Sequence, residues 1–380
     1  MKKLILLVLI FIPFLCFSGK TFTVKAENLN ETIDEQLEIL DLSEISRLID
    51  ENSENIDFNL LLTNVLKGNF DSSADNVYKY VIEIIGKNFK LEIKNFILII
   101  SLIIFVSLIN NVKTDQDNGV KNIVNLISVL SVVIILSTSV ISVIKKVKNV
   151  IKILSELNEI MSPVILTLMI ASGGHASAGI YKPIVNILSD LILNNVMIIL
   201  LPIILLIIVF GVLSNVSSNI SFSKYTDLLK SVYKWIIGIT VAVFGIFITA
   251  QGIASNSFDG ISFKITKYAL SNSVPIIGGF LGGGIDFFVA GSTLIKNSIG
   301  LIGLFFIIEI LINPIINLAV LSLILKLVSA IAETLNNKEI SNVISSFSTG
   351  ITYLNITLII TGVMTFITLL LLVISANFIV

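Results

Sequence analysis

Cysteine occurs once in this 380-residue chain, at Cys16, and histidine once, at His175. One thiol cannot close an internal disulfide, and one imidazole with no cysteine near it leaves no Cys/His metal site. No Ser-His-Asp arrangement can be assembled around His175. Arginine is equally scarce, with Arg47 alone, and no basic stripe is interleaved with aromatics, so nucleic acid is not an expected partner. Charge as a whole is thin, at 13% of residues, where a soluble domain carries roughly a quarter.

What fills the chain is apolar: 55% of residues are hydrophobic and the mean hydropathy is +0.98. Runs of about 20 apolar residues recur, each long enough to cross a hydrocarbon core of roughly 30 Å. Backbone in lipid must satisfy its own hydrogen bonds, which leaves helices or closed barrels. These runs are continuous rather than alternating, and that selects helices. The expected fold is an all-α polytopic membrane protein, with two related Gly/Pro-broken helical repeats behind an exported acidic helical segment.

Met1-Lys2-Lys3 and the apolar stretch Leu4–Phe17 read as a signal peptide over residues 1–26, with Val24-Lys25-Ala26 placing cleavage before Glu27. An uncleaved anchor is the alternative. Between Glu27 and Asp75 stand 13 acids, half of the chain's 26, against two bases, Arg47 and Lys67. Ile33, Leu37, Leu40, Ile45, Leu48 and Ile49 recur at helical spacing, so residues 27–90 are expected to form an extracytoplasmic helical region. It is either a docking ectodomain or a segment whose charge only keeps it soluble.

Residues 91–159 are expected to hold two spans, about 93–112 and 123–144, joined by the polar turn Lys113–Lys121. An amphipathic interfacial helix should follow, with Ile144, Val147, Ile151 and Leu154 on one face and lysines 145, 146, 148 and 152 on the other. If both spans cross and Glu27 lies outside, those lysines also lie outside, against the positive-inside tendency.

The remainder divides into repeat 1 (160–271) and repeat 2 (272–380) at an offset of 112 residues. Pro163 recurs as Pro275 and Pro202 as Pro314; Ala178-Gly179 recurs as Ala290-Gly291, and Gly238-Ile239-Thr240 as Gly350-Ile351-Thr352. Helix breaks are expected at Pro163, Gly173, Gly174, Pro202, Pro275, Gly282, Gly283, Gly284 and Pro314. Short Gly- or Pro-broken segments at matching positions of two halves point to a transporter-like site. The same glycines equally permit tight helix packing.

A lone carboxylate at the bilayer centre costs roughly 2.5–3.5 kcal/mol on insertion scales, so Asp286 and Glu309 should face a cavity or a partner. Lys296 is the candidate partner, and Asp190, Asn194 and Asn195 occupy the corresponding part of the first repeat. These groups either line an aqueous path or sit at membrane boundaries, where an acid costs little. His175, beside two glycines, is either a group titrating near neutral pH or a satisfied loop histidine. Gly284-Ile285-Asp286 lacks the glycine that directly precedes the aspartate of intramembrane aspartyl proteases. A rhomboid-type Gly-x-Ser-Gly with a histidine base is also missing, as is a Walker loop. The expectation is a chain that is not an enzyme and carries no cofactor or metal.

Four stretches then bring a family into view: the exported acidic N-terminus; Met161-Ser162-Pro163 through Leu166-Thr167-Leu168-Met169 to Ala171-Ser172-Gly173-Gly174; Gln251-Gly252 ahead of Asp259-Gly260-Ile261; and Lys267 leading to Pro275-Ile276-Ile277-Gly278. With the span pattern they resemble the stage III sporulation protein AE family of endospore-forming bacteria over nearly the whole chain. Two departures stand out: Lys264 where the family tends to carry arginine, and Gly283 where a second acid tends to precede the one matching Asp286.

The resemblance implies a mother-cell membrane protein around the forespore, with its N-terminal region extracytoplasmic. It would belong to a transenvelope channel or export complex with a secretion-type ATPase and ring-forming exported proteins. A self-sufficient ion-coupled secondary transporter and a structural anchor for the ectodomain are the rival expectations. The lipid bilayer is the partner common to all three.

Overall fold

The computed structural model describes residues 33–375 apart from 34, 38–39, 54–56, 67–73, 112–117, 217–221 and 256–277. The expected signal peptide and Pro275 lie outside the described residues, as do the side chains of Asp190 and Asp286. The described elements are α1 (Ser43–Asn52), α2 (Phe58–Leu66), α3 (Ala74–Asn111), α4 (Asn118–Ala171), α5 (His175–Asn194), a π-helical turn (Asn195–Leu200), α6 (Leu201–Val216), α7 (Ser223–Ser255), α8 (Gly278–Thr334) and α9 (Lys338–Ile374). No strand occurs among the described residues.

Five helical stretches are long and apolar enough to cross a membrane: Ile123–Ala171, Asn195–Asn215, Ser223–Thr249, Phe288–Thr334 and Lys338–Ile374. The chain is therefore an all-α polytopic membrane protein. Phe96–Ile109 of α3 is a shorter apolar helix, so the expected span 93–112 is the apolar end of a helix that begins twenty residues earlier. α8 extends about 86 Å at 1.5 Å per residue, nearly three hydrocarbon thicknesses of about 30 Å. Tilt alone does not absorb that excess, so part of the bundle stands outside the bilayer.

The centre of the bundle is the α8–α9 hairpin. In α9, 61% of the most apolar stretch is buried, against 11% in α7, which lies at the periphery. The hairpin turns at Asn336, whose positive φ of 60° suits an asparagine better than most side chains, and Asn337 N–H closes the turn on the Ala332 carbonyl at 2.9 Å. From there the two helices run back antiparallel. Ser329 and Ser341 bond each other at 3.0 Å, and Ser322 meets Ser348 and Thr352 at 3.3 and 2.8 Å.

Further along, side chains enter the hollows left by glycines: Val373 against Gly300, Met161 and Leu369 against Gly303, and Leu311 against Gly362. Small residues and hydroxyls are the usual cement between membrane helices, because lipid supplies no hydrophobic drive for their association.

α3 runs parallel to α8. Asn88 bonds Asn313 and Asn317, while Ser107 reaches the Leu335 carbonyl and the Ile103 carbonyl accepts from Asn337. α4 starts near that same end, since only residues 112–117 separate it from α3, and returns to reach Gly303 at Met161. Its apolar stretch 123–144 covers about 33 Å. Lysines 145, 146, 148 and 152 follow, all exposed, with Ile144, Val147, Ile151 and Leu154 buried opposite them.

That face matches the sequence pattern, but the stretch is not a separate interfacial helix. It continues α4 without interruption, and its apolar stripe packs into the protein core instead of into lipid. A boundary between domains at residue 160 would likewise fall inside α4.

Several expected breaks are absent. Pro163 lies inside α4 and Pro314 inside α8, and Gly282, Gly283 and Gly284 belong to the same continuous α8. A proline removes one ladder hydrogen bond, yet bundle neighbours and local adjustment let membrane helices tolerate it. Pro202 follows the π-helical turn without ending the helix. The break at Gly173–Gly174 is present: Gly173 has φ 90°, a conformation open to glycine, and Gly173 and Gly174 donate to the carbonyls of Ile170 and Met169.

The two expected repeats thus differ in outline, because 163–179 crosses from α4 to α5 whereas 278–291 lies within α8. Their long helices nevertheless approach α9 alike. Ile208 of α6 enters the hollow at Gly350 and Gly211 lies over Ser346, while Ser322 of α8 meets Ser348. Positions close to 112 residues apart therefore reach α9 at one level, and α6 and α8 run in the same direction.

Glycine substitutions separate packing from flexibility. A Cβ at Gly300 would lie 2.0 Å from Val373 Cγ2, whereas one at Gly238 meets nothing within 4 Å. Gly300→Ala is expected to lower unfolding stability in detergent by about 1–3 kcal/mol, and Gly238→Ala to leave it unchanged or raise it by up to about 1 kcal/mol. Thermal unfolding of both variants checks the contrast.

Candidate functional site

Polar side chains inside an apolar bundle are the natural place to look for function, because each costs energy unless it is matched. They gather where the acidic N-terminal helices sit on α8. The Gln36 amide donates to the Phe288 carbonyl at 3.1 Å and accepts from the Ser292 hydroxyl at 3.2 Å, beside Gly291. Farther along, Ser53, which caps the C-terminus of α1, donates to the Glu309 carboxylate at 2.6 Å. α1 itself opens on an Asp41 turn, the carboxylate accepting from the Ser43 backbone and hydroxyl at 3.1 and 2.5 Å. Those two bonds hold the exposed Asp41 carboxyl below its usual range.

Glu309 is accordingly half-buried against a polar partner, where the sequence suggested a cavity wall. α1 also packs on α4, and α2 on α8. The acidic helices and the exposed lysines of α4 therefore share one end of the bundle, beyond the apolar stretch 123–144.

Lys296 is fully buried. Its ammonium donates to the carbonyl of Ser375, the residue capping the C-terminus of α9. The last carbonyls of a helix lack partners within it and carry a partial negative charge of roughly half a unit, so a lysine there serves both needs. Asp286 lies ten residues earlier on the same helix, about 15 Å away in rise, and Glu309 thirteen residues later, about 20 Å. The expected pairing of Lys296 with a carboxylate is replaced, among the described residues, by this helix end.

The other expected path residues are scattered. His175 is exposed at the start of α5, and Asn194 is exposed at its end. Asn195 opens the π-helical turn and donates to the Thr240 hydroxyl, and its buried Oδ1 has no partner among the described residues.

Three asparagines were not singled out from sequence. Asn88 and Asn317, both buried, and the exposed Asn313 form an amide node between α3 and α8. The signal was present, since Asn313 and Asn317 stand four apart in an apolar run and so share a helix face. The Tyr233–Tyr353 pair was also unforeseen: the rings lie 4.4 Å apart and the Tyr233 hydroxyl meets the Tyr353 carbonyl and Thr357.

A cavity between the π-helical turn, α7 and α9, lined by Val196, Leu200, Thr240 and Thr361 among others, measures about 10 Å³, close to the minimum that holds one water. An open groove of about 310 Å³ lies among α6, α7 and α9. Among the described residues no three His, Cys, Asp or Glu side chains are placed to hold a metal ion.

Lys296 offers a direct test of a buried charge. Lys296→Met keeps volume and removes the charge, and is expected to hold stability within about 1.5 kcal/mol of the parent. Lys296→Ala, which leaves a hollow and an unpaired carbonyl, is expected to cost about 2–4 kcal/mol. Unfolding in detergent measures both.

The family model described as Stage III sporulation protein AE matches residues 56–376, from α2 to the end of α9. A relative in Bacillus subtilis (strain 168), named Stage III sporulation protein AE, is 26% identical over 218 residues, covering 57% of this chain and 54% of the relative. The chain thus spans about half the length of the curated relative it matches. No solved structure matches. With the family model covering most of its length, including every apolar helix described above, the chain belongs to the stage III sporulation protein AE family.

Proposed function

We propose that this protein is the mother-cell membrane subunit of a transenvelope channel or export complex that sustains forespore development. The observation that carries the reading is the family match across the whole membrane bundle, together with acidic N-terminal helices built onto that bundle instead of hanging from it. In this reading the N-terminal region faces the space between the two cells. There it meets ring-forming exported proteins, and a secretion-type ATPase acts from the mother-cell side. A conduit formed between subunits is supported by long helices with exposed apolar faces, such as α7, which leave room for neighbours.

An anchor would need only apolar length. The contacts of Gln36 and Ser53 with α8 favour a bundle that positions its N-terminal helices, so the two readings part on one exchange. Replacing residues 93–380 by unrelated spans should abolish the formation of heat-resistant spores; survival of sporulation would identify an anchor.

The polar groups of α8 are tested separately. Asp286→Ala combined with Glu309→Ala is expected to reduce spore yield strongly at unchanged protein level. A normal yield in the double variant removes these carboxylates from the mechanism.

A further inference from the structure

The open groove lies among α6, α7 and α9. Asn215 is the last residue of the span Asn195–Asn215, Thr226 and Lys230 fall within about two turns of the start of Ser223–Thr249, and Ser345, Ser346 and Thr349 fall about two to three turns into the longer helix Lys338–Ile374. An aromatic cluster marks the same level: Phe210 stacks on Phe222 at 5.6 Å, and Tyr225 lies 6.2 Å from each. Aromatic side chains concentrate at membrane interfaces because one part of the ring is apolar and another polar.

The chemistry of the lining is specific. Lys230 supplies an ammonium whose protein partner is Asp227, 3.4 Å away in an ion pair with an exposed carboxylate. Exposed pairs of this kind are weak, so a better-placed anion can take the ammonium. The hydroxyl groups have already spent their hydrogens: Thr226 donates to the Phe222 carbonyl, Ser346 to Asn342 and Thr349 to Ser345. Each oxygen therefore faces its surroundings as an acceptor.

A ligand that satisfies this lining needs an anion for Lys230 and hydroxyl donors for the oxygens.

We propose that the groove binds the headgroup of an anionic phosphoglycerol lipid, with its phosphate on Lys230 and its two glycerol hydroxyls donating to Ser346 and Thr349. A zwitterionic choline headgroup offers no hydroxyl donors and presents its own cation to Lys230. A bare phosphatidic acid satisfies the lysine but not the hydroxyls. The site would fix the angle of α7 against α9 through a lipid that bridges the two helices.

The test uses the purified full-length chain in nonionic detergent, stripped of lipid. Retention of added dioleoyl phosphatidylglycerol, phosphatidylcholine and phosphatidic acid is then counted by native mass spectrometry. The parent chain is expected to retain phosphatidylglycerol roughly tenfold better than phosphatidylcholine, a difference equal to about 1.4 kcal/mol. Lys230→Ala should bring phosphatidylglycerol down to the choline level, while Lys224→Ala, outside the groove, changes nothing. Ser346→Ala with Thr349→Val should lower phosphatidylglycerol to the level of phosphatidic acid without affecting the latter.

Unfolding temperatures without lipid verify that each variant is folded, and the hydroxyl pair carries the test alone if Lys230→Ala is not. Equal retention of the three lipids by the parent, or unchanged preference in the folded groove variants, overturns the proposal. Displacement of phosphatidylglycerol by an equal concentration of glycerol 3-phosphate overturns it as well, since the ligand would then be a soluble phosphate.

Discussion

α8 and α9 lie against each other over most of their lengths because each leaves gaps where the other is bulky. In lipid no hydrophobic drive pushes helices together, so close contact must come from fitted surfaces and hydrogen bonds between side chains. Gly300, Gly303 and Gly362 receive Val373, Leu369 and Leu311, and the serines at 322, 329, 341 and 348 bond across the remaining seam. Every other element refers to this pair. α6 fits α9 at Gly350, α4 fits α8 at Gly303, α3 is joined to α8 by its amide node, and the N-terminal helices close on α8 through Gln36 and Ser53.

The membrane class was legible because it follows from solvent: long apolar runs in a chain poor in charge have one stable outcome. The amphipathic stripe Ile144, Val147, Ile151 and Leu154 was legible for the same reason, and each of these residues is buried. Its destination was not, since a stripe reads identically whether lipid or protein will cover it. The misread breaks have a clear cause. Rules that make proline and glycine end helices come from water, where an exposed backbone finds hydrogen-bond partners. Inside an apolar bundle the helix is retained through Pro163, Pro314 and Gly282–Gly284 because unwinding would leave unpaired groups. Of the expected breaks among the described residues, the one at Gly173–Gly174 does end a helix, with a positive φ at Gly173.

The candidate site shows the same division. Buried Lys296 and half-buried Glu309 were visible as anomalies, since a charge in an apolar run always needs an explanation. Their partners were not visible: the Ser375 carbonyl is backbone, and Ser53 lies in a distant polar stretch where a serine attracts no notice. Among the described residues, Lys296, Glu309 and Asn195 each fasten one helix to another segment of the bundle. The family relationship and the fold agree on a membrane component. The chemistry of those fastenings assigns much of the intramembrane polarity to assembly of the bundle.

The π-helical turn at Asn195–Leu200 bears on the shape of the whole periphery. An uninterrupted helix from His175 to Val216 would keep one stripe toward one neighbour. One additional residue in a single turn advances everything after it by about 100°, the angle per residue in a helix of 3.6 per turn. α5 thus addresses α4 and α7 with its inner stripe, whereas α6 turns its own toward α9 and α7. A single helical rod is in this way shared between two walls of the molecule, and the pivot between them coincides with Asn195, whose carbonyl oxygen still lacks a protein partner among the described residues.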